Sequence, residues 1–256
     1  MIDLEKLDGF NESEVIVIPI IDVSGSMDGD RIAAVNEAMA AVPAQLAQIN
    51  DDTVDGKLLI APMSFSTGAS WFGLSNGQPA EVETFRWIDK KASGLTDLGA
   101  ACDLLYEKLT VKEKGGWMNG RSGAKPVIIL ISDGGPTDDY KSSLDKLKNR
   151  GWFRAAFKFA IAVGTDANRS VLTEFTGTPE AVFDTEKIRL DLASIVKRVV
   201  VSASKTGSRS ASVSNVVNIS DVVEDTTGKD IEDQAQKEAI NNINTTLNIN
   251  DSDDLF

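Results

Sequence analysis

The chain has 256 residues, enough for one domain of about 200 residues with an appendage. It carries 39 acidic and 26 basic residues, a formal net charge of −13. This balance argues against a nucleic-acid or anionic-membrane surface and favours divalent cations and basic partners. Histidine is absent, which excludes Ser-His-Asp and Cys-His catalysis and histidine-ligated zinc.

Composition divides the chain into a lead-in at residues 1–14, a domain at 15–204 and an acidic tail at 205–256. The tail has few apolar residues, so we expect disorder, with a partner-binding segment as the alternative. No apolar signal core follows Met1, and no eighteen uncharged apolar residues run together. We therefore expect a soluble, cytoplasmic protein.

The first strong element is the apolar run at residues 15–21, which predicts a buried strand of a parallel sheet. Pro43 lies inside the helical pattern that follows, and we expect it to kink or split this helix near Val42. The apolar residues of that pattern recur every three or four positions and predict a helix packed on the sheet. They are Ile32, Val35, Met39, Val42, Leu46 and Ile49.

Residues 58–65 predict a second strand, in which Pro62 indicates a bulge or an edge position. Residues 71–74 are a candidate hairpin partner for this strand, across a short connection. The segment at 81–87 fits neither a helix nor a strand clearly. We leave its structure open.

A helical pattern then runs to Leu109, with Asp97 as its candidate N-cap. Cys102, the only cysteine, lies in the apolar stripe of this helix, so we expect a small buried hydrophobe rather than a reactive thiol. Trp117 and Met118 follow in a glycine-rich loop. They pack against the domain or contact a partner, and both interpretations stay open.

The later part alternates strands and helices. The run at 127–131 shows no polar alternation, so both faces of this strand should be buried. The next helix is expected to end at Arg150 and Gly151, since glycine commonly follows a helix end. The remaining pattern predicts a strand at 157–163, a short helix at 171–175, a brief strand at 181–183 and a closing helix at 188–199.

This alternation predicts an α/β fold with a Rossmann-like, doubly wound, mostly parallel central sheet flanked by helices. The first strand should lie beside the strand that ends at Ser132, with the strand order reversing between them. Ligands bind at such a switch point, at the carboxyl ends of the strands. Residues more than a hundred positions apart, such as Asp22 and Asp133, would then meet at one site.

Three oxygen-bearing side chains follow the first strand directly. Asp22, Ser24 and Ser26 alternate, so a tight turn would bring their oxygens to one point. Carboxylate and hydroxyl oxygens are ligands for a hard cation such as Mg²⁺. The alternative is a polar loop in which Ser26 or Asp28 caps the next helix.

Two later loops make the pattern specific. Thr96 lies in the Gly-Leu-Thr-Asp stretch at 94–97, and Asp133 lies in the Ser-Asp-Gly-Gly-Pro-Thr-Asp stretch at 132–138. Together with the Asp-x-Ser-x-Ser motif at 22–26, these loops resemble the metal-ion-dependent adhesion site of the von Willebrand factor A (vWA) family. The resemblance extends over residues 15–204 and implies the vWA fold.

The resemblance also implies a role for each residue. Ser24 and Ser26 would bind the ion directly, Thr96 directly or through water, and Asp22 and Asp133 would act through water or hold the ligands. The ion would be Mg²⁺, with Mn²⁺ or Ca²⁺ as alternatives, and a protein partner would supply an Asp or Glu oxygen to it. Among family branches, the chain is similar to the bacterial tellurium-resistance-associated proteins, which implies an adaptor in stress response or defence.

Two other interpretations remain. In a Mg²⁺-dependent hydrolase or phosphotransferase, Asp22 would be a nucleophile and Asp133 a metal ligand; no phosphate-binding loop of the G-x-x-x-x-G-K-[ST] type is present. A structural domain with an empty site is disfavoured because all five residues are present. In the metal-free protein, we expect Asp133→Ala to relieve repulsion with Asp22.

Overall fold

The computed structural model describes residues 13–53, 56–120 and 124–184. Within these ranges the strands are β1 (Ser13–Asp22), β2 (Gly56–Ile60), β3 (Met63–Ser66), β4 (Gly68–Trp71), β5 (Ala80–Glu81), β6 (Val127–Ser132), β7 (Phe157–Ala162) and β8 (Val182–Asp184). The α-helices are α1 (Asp30–Thr53), α2 (Leu98–Lys108), α3 (Tyr140–Lys148), α4 (Gly151–Ala155) and α5 (Arg169–Thr176). The predicted closing helix and the tail lie outside the described residues.

The strands form one mostly parallel sheet in the order β4-β3-β1-β6-β7-β8, with β2 beside β1 and β5 beside β2. β1 pairs in parallel with β2 and β3 on one side and with β6 on the other. Antiparallel pairing occurs between β3 and β4 and between β2 and β5. The strand order therefore reverses between β1 and β6, as the sequence predicts, and this places the switch point at Asp22 and Ser132.

Helices cover both faces of the sheet, which confirms the doubly wound prediction. β1 alternates between the faces: Val17 belongs to the apolar cluster of α1, whereas Ile18 belongs to the cluster of α2, α3 and α5. Ile129 and Leu130 of β6 divide between the same two clusters. Since both faces are buried, these central strands need apolar residues at successive positions, and this explains their unbroken apolar runs.

Of the two effects predicted for Pro43, a kink or a split near Val42, the split is wrong, because α1 continues through this residue. Proline removes one backbone hydrogen bond and crowds the preceding turn. Val42 and Leu46, on either side of it, are both fully buried against the sheet. Packing of the apolar face thus outweighs the local cost of proline.

The predicted strand at 58–65 is interrupted rather than bulged. β2 and β3 are separate strands, divided by Ala61 and Pro62. Ile60 pairs with Val17, and Met63 pairs with Ile20, so the register along β1 is the same before and after the break. A bulge would have inserted a residue. The ladder lapses because proline has no N–H to donate.

The hairpin partner of β3 is present but begins earlier than predicted, since β4 starts at Gly68 and ends at Trp71. Gly68 has φ +78°, a left-handed conformation that suits the tight turn after Ser66. The short segment that the sequence left open contributes β5 at Ala80–Glu81 and then a turn.

Gly151 does not terminate α3 as predicted; it is the first residue of α4. α3 ends at Lys148 without a left-handed residue. The N–H groups of Asn149 and Arg150 donate to the carbonyls of Lys146 and Leu147, at 3.2 and 2.9 Å. These bonds satisfy the last carbonyls of the helix, so no glycine is needed there.

Cys102, Trp117 and Met118 all belong to the apolar cluster of α2, α3 and α5, which decides the interpretations left open for them. Cys102 is buried, and burial raises the pKa of its thiol to about 12, so the interpretation as an inert small hydrophobe is confirmed. Trp117 and Met118 are buried as well and pack within the domain. Within the described residues, no helix is both long and apolar enough to cross a bilayer.

Lys158 in β7 makes stability depend on pH. Burial lowers the pKa of its ammonium from 10.5 to about 8, although the ammonium donates to the carbonyls of Phe153 and Ala156 at 3.0 and 3.2 Å. Below pH 8 the lysine is charged in both folded and unfolded protein, and its burial cost is constant. Between pH 8 and 10.5 only the unfolded chain keeps the proton, so this cost is relieved as the pH rises.

Relative to Lys158→Met, the wild-type protein should therefore gain about 1–3 kcal/mol of stability between pH 7.5 and pH 10. Urea denaturation of both proteins at the two pH values measures this difference. Other groups that titrate in this range are common to both proteins and cancel. A wild-type advantage that does not change with pH would show that the ammonium keeps its ordinary pKa in the folded domain.

Candidate metal centre

Asp22, the last residue of β1, is completely buried and held by two hydrogen bonds. Its Oδ1 accepts from the backbone N–H of Ser24 at 2.9 Å, and its Oδ2 accepts from the hydroxyl of Ser132 at 2.6 Å. The Ser132 hydroxyl in turn accepts from the N–H of Gly134 at 2.7 Å. These bonds fix the orientation of the carboxylate and connect the ends of β1 and β6.

Burial raises the pKa of Asp22, the hydrogen bonds from Ser132 and Ser24 lower it, and the nearby charge of Asp133 raises it again. The net direction is upward. The site thus carries the cost of placing one carboxylate in the interior close to another. A cation bound between them would reduce this cost.

Residues 24–27, here called the serine turn, follow β1: Ser24 is the N-cap of a short 3₁₀ helix at Gly25–Met27, and Ser26 lies within this helix. Ser24 is buried, Ser26 is exposed, and their hydroxyl oxygens are 3.1 Å apart and hydrogen-bonded. The alternative in which Ser26 or Asp28 caps the next helix is wrong, because α1 begins at Asp30 and neither residue immediately precedes it. The turn therefore presents two neighbouring hydroxyls, one of them open to solvent.

Thr96 is buried in the loop before α2. Its N–H donates to the hydroxyl of Thr137 at 2.9 Å, and its carbonyl accepts from the N–H of Thr137 at the same distance. The N–H of Gly25 donates to the carbonyl of Gly94 at 3.1 Å, which connects this loop to the serine turn. Thr96 is thus held between the loops that follow β1 and β6.

Asp97 occupies the predicted N-cap position of α2, but its side chain forms no capping hydrogen bond. Its Oδ2 accepts from the N–H of Gly68 at 2.7 Å instead. The prediction is right about position and wrong about the contact. Asp97 stabilises the turn between β3 and β4, and the N-terminus of α2 receives Asp138, whose Oδ2 accepts from the N–H of Ala100 at 3.2 Å.

Asp133 follows β6 directly and is 8% exposed, and only one of its two carboxylate oxygens has a hydrogen-bond partner. Its Oδ2 accepts from Nη1 of Arg31 at 3.1 Å, and its Oδ1 is buried with no hydrogen-bond partner. An unpaired buried carboxylate oxygen costs free energy unless something binds it. This oxygen fits the presence of a cation at the site.

No group of three or more acidic or cysteine side chains able to hold a metal ion occurs in the described parts of the chain. A cation here would depend on two carboxylates, Asp22 and Asp133, together with the hydroxyl oxygens nearby. Such an all-oxygen set suits a hard divalent ion.

The structure brings the five predicted residues into three hydrogen-bonded loops at the carboxyl ends of β1 and β6. Sequence reasoning missed three residues that hold them: Arg31, Ser132 and Thr137. Only Arg31 had a detectable signal, since a cation in the first turn of a helix is disfavoured by the helix dipole and needs a reason. Arg31 also revises the expectation for Asp133→Ala, because Asp133 is ion-paired and its removal would strand the guanidinium.

The fold and the site define a doubly wound α/β domain with an oxygen-rich loop site at its switch point. The chain belongs to the von Willebrand factor type A domain family, whose model matches residues 16–198. This match confirms the family and the fold that the sequence resemblance implies. A comparison with curated proteins finds no match.

Solved structures share the fold at low identity. Proximal thread matrix protein 1 from the mussel byssus is 16% identical, with TM-score 0.55, over 76% of this chain and 49% of that chain. A second structure of it, with a zinc-occupied MIDAS motif, is 16% identical, with TM-score 0.54 over 74% and 48%. A von Willebrand factor type A protein from Catenulispora acidiphila is 18% identical, with TM-score 0.53 over 75% and 43%. The chain therefore spans about half of these chains or less.

Proposed function

We propose that this domain is a metal-dependent protein-interaction module. The cation is held by Asp22, Ser24, Ser26, Thr96 and Asp133. The observation that carries the proposal is the buried Oδ1 of Asp133, which lacks a partner at the point where the three loops meet. The zinc-occupied site of the mussel relative supports a cation at the equivalent motif.

The hydrogen bonds indicate different roles for the Asp22 carboxylate and for the hydroxyl groups of the site. Both oxygens of Asp22 already accept hydrogen bonds, so this carboxylate holds the serine turn in place and supplies negative charge. Ser24, Ser26 and Thr96 supply the neutral oxygens. A divalent ion among neutral hydroxyls keeps a strong preference for one more anionic oxygen and an open position to receive it.

Ser26 is exposed to solvent, so a further oxygen ligand of the ion would come from water or from a partner on this side of the site. We propose that a partner protein supplies it as an Asp or Glu carboxylate. Mg²⁺ is the proposed ion, with Mn²⁺ or Ca²⁺ as alternatives. Zn²⁺ should be tested as well, because zinc occupies the MIDAS motif of the mussel protein.

We propose no enzymatic role. The competing hydrolase or phosphotransferase needs Asp22 as a nucleophile, but this carboxylate is completely buried and has a hydrogen bond to each oxygen. A nucleophile must instead reach a substrate atom. The finer assignment, a cytoplasmic bacterial adaptor of stress response or defence similar to the tellurium-resistance-associated proteins, rests on the sequence resemblance. The proposed division into residues 1–14, 15–204 and 205–256 rests on composition and on the same resemblance.

The first test is thermal melting with millimolar Mg²⁺, Mn²⁺ or Zn²⁺ or with EDTA. An ion at about ten times its dissociation constant adds about 1.4 kcal/mol by mass action. For a domain near 200 residues this raises the melting temperature by about 3–5 °C. Ser24→Ala and Ser26→Ala should remove the shift and leave the metal-free melting temperature nearly unchanged, since neither hydroxyl carries core packing.

Ser142→Ala, an exposed position on α3, is the matched control and should keep the full shift. Equal melting of wild-type protein with and without each ion, in a preparation shown to be folded and metal-free at the start, would contradict the proposed metal site.

A further inference from the structure

Arg31, in the first turn of α1, contacts the loops that follow β1, β6 and β7. Its Nη1 donates to Oδ2 of Asp133 at 3.1 Å and to the carbonyl of Ser26 at 3.2 Å. Its Nη2 donates to Oδ1 of Asp166, in the loop after β7. The guanidinium thus contacts one carboxylate of the candidate metal centre, the serine turn and a second, exposed carboxylate.

The backbone leaves room for this guanidinium at one place in particular. Gly164 has φ +89°, and a Cβ built on it would lie 2.8 Å from Nη2 of Arg31. A side chain there would displace the guanidinium, and the conformation itself disfavours residues other than glycine. Arg31 is therefore seated in a fitted position, with 26% of its side chain exposed.

The location is costly for a cation unless anions surround it. The N-terminus of a helix carries partial positive charge, which repels arginine. Asp133 and Asp166 offset this repulsion through the ion pairs. The contact with Arg31 uses Oδ2 of Asp133 and leaves Oδ1 without a partner.

We propose that Arg31 is the counter-cation of the metal-free site and that it lowers the affinity of the site for divalent cations. The inference rests on the proposed function, since it concerns the same metal centre. A fixed positive charge beside Asp133 repels an incoming divalent ion and shares the carboxylate that the ion needs. In return, Arg31 offsets the repulsion between Asp22 and Asp133 when no ion is bound.

Charge on Arg31 and charge on Asp166 then act in opposite directions. Removing the guanidinium leaves the carboxylates uncompensated, so the site attracts cations more strongly. Removing the Asp166 carboxylate leaves the guanidinium less compensated, so the site attracts them less. A purely positional role for Arg31 predicts the reverse result for the arginine, because Asp133 would lose its fixed orientation.

The experiment is calorimetric titration of the full chain with Mn²⁺ alone, using wild type, Arg31→Gln, Arg31→Lys and Asp166→Asn. We expect Arg31→Gln to bind Mn²⁺ about tenfold more tightly, and Asp166→Asn to bind about threefold more weakly. Arg31→Lys keeps the charge and should stay within about twofold of wild type. In EDTA, Arg31→Gln should melt below wild type, whereas saturating Mn²⁺ should narrow or reverse that difference.

Weaker binding by both Arg31→Gln and Arg31→Lys would overturn the inference and assign Arg31 a positional role. Unchanged binding by Arg31→Gln would overturn it as well. In both cases the proposed function would still stand if wild-type protein binds Mn²⁺ and Ser24→Ala does not. If neither wild type nor any variant binds Mn²⁺, the proposed metal centre itself fails and the inference with it.

Discussion

Thr96→Ala, or EDTA added to the wild-type protein, should abolish the capture of a partner that wild-type protein retains in Mg²⁺. Thr96 is buried, and its main chain is fixed on both sides by Thr137, so the substitution removes the hydroxyl while these backbone bonds can remain. If a carboxylate of the partner binds the ion, loss of the ion removes this contact. The carboxylates of the site then repel the partner's carboxylate. Pull-down from a lysate with immobilised domain measures the effect.

Thr84→Ala is the matched control, since this exposed threonine hydroxyl donates to the carbonyl of Glu81 in the turn after β5. It should leave capture unchanged. Partners that remain bound both in EDTA and to Thr96→Ala would show that the protein binds through another surface. Partners lost in EDTA but kept by Thr96→Ala would show that the ion is required and that this hydroxyl is not one of its ligands.

Trp117→Ala should lower the free energy of unfolding by about 3–5 kcal/mol, the usual cost of removing a large buried aromatic side chain. The indole of Trp117 is fully buried, lies edge-on to Trp71 with ring centroids 4.5 Å apart, and donates through Nε1 to the carbonyl of Gly77 at 3.3 Å. For a domain of this size the melting temperature should fall by about 10 °C. Thermal melting in EDTA isolates this effect from ion binding.

Ile88→Ala is the control for apolar truncation, because Ile88 is 71% exposed and should change the melting temperature little. A small effect of Trp117→Ala on melting, accompanied by loss of partner capture, would restore the alternative in which this loop is a contact surface.

The central strands could be predicted because their signal is local. The unbroken apolar runs of β1 and β6 follow from burial on both faces, and this signal does not depend on the partner strand. The split predicted at Pro43 and the helix end predicted at Gly151 were wrong, because each prediction considered only the preference of a single residue. α1 continues through Pro43 since its neighbours are buried, and α3 closes its last carbonyls without Gly151.

The candidate site divides in the same way. Asp22, Ser24, Ser26, Thr96 and Asp133 were predicted because their types and spacing match a family motif, and they lie in contacting loops of the structure. The contacts of the residues that support them, Arg31, Ser132 and Thr137, could not be predicted from the sequence. Arg31 pairs with Asp133 across 102 positions, and such side-chain pairs depend on where the sheet brings the loops.

The sheet order also has a consequence for how the site is assembled during synthesis. The serine turn leaves the ribosome more than a hundred residues before Asp133, and Asp22 contacts Ser132 only through pairing between strands distant in sequence. Contacts of this kind form late, because loop closure must be achieved before they contribute. The proposed metal centre therefore requires β6 beside β1, and ion binding by a nascent or refolding chain would report that this pairing has occurred.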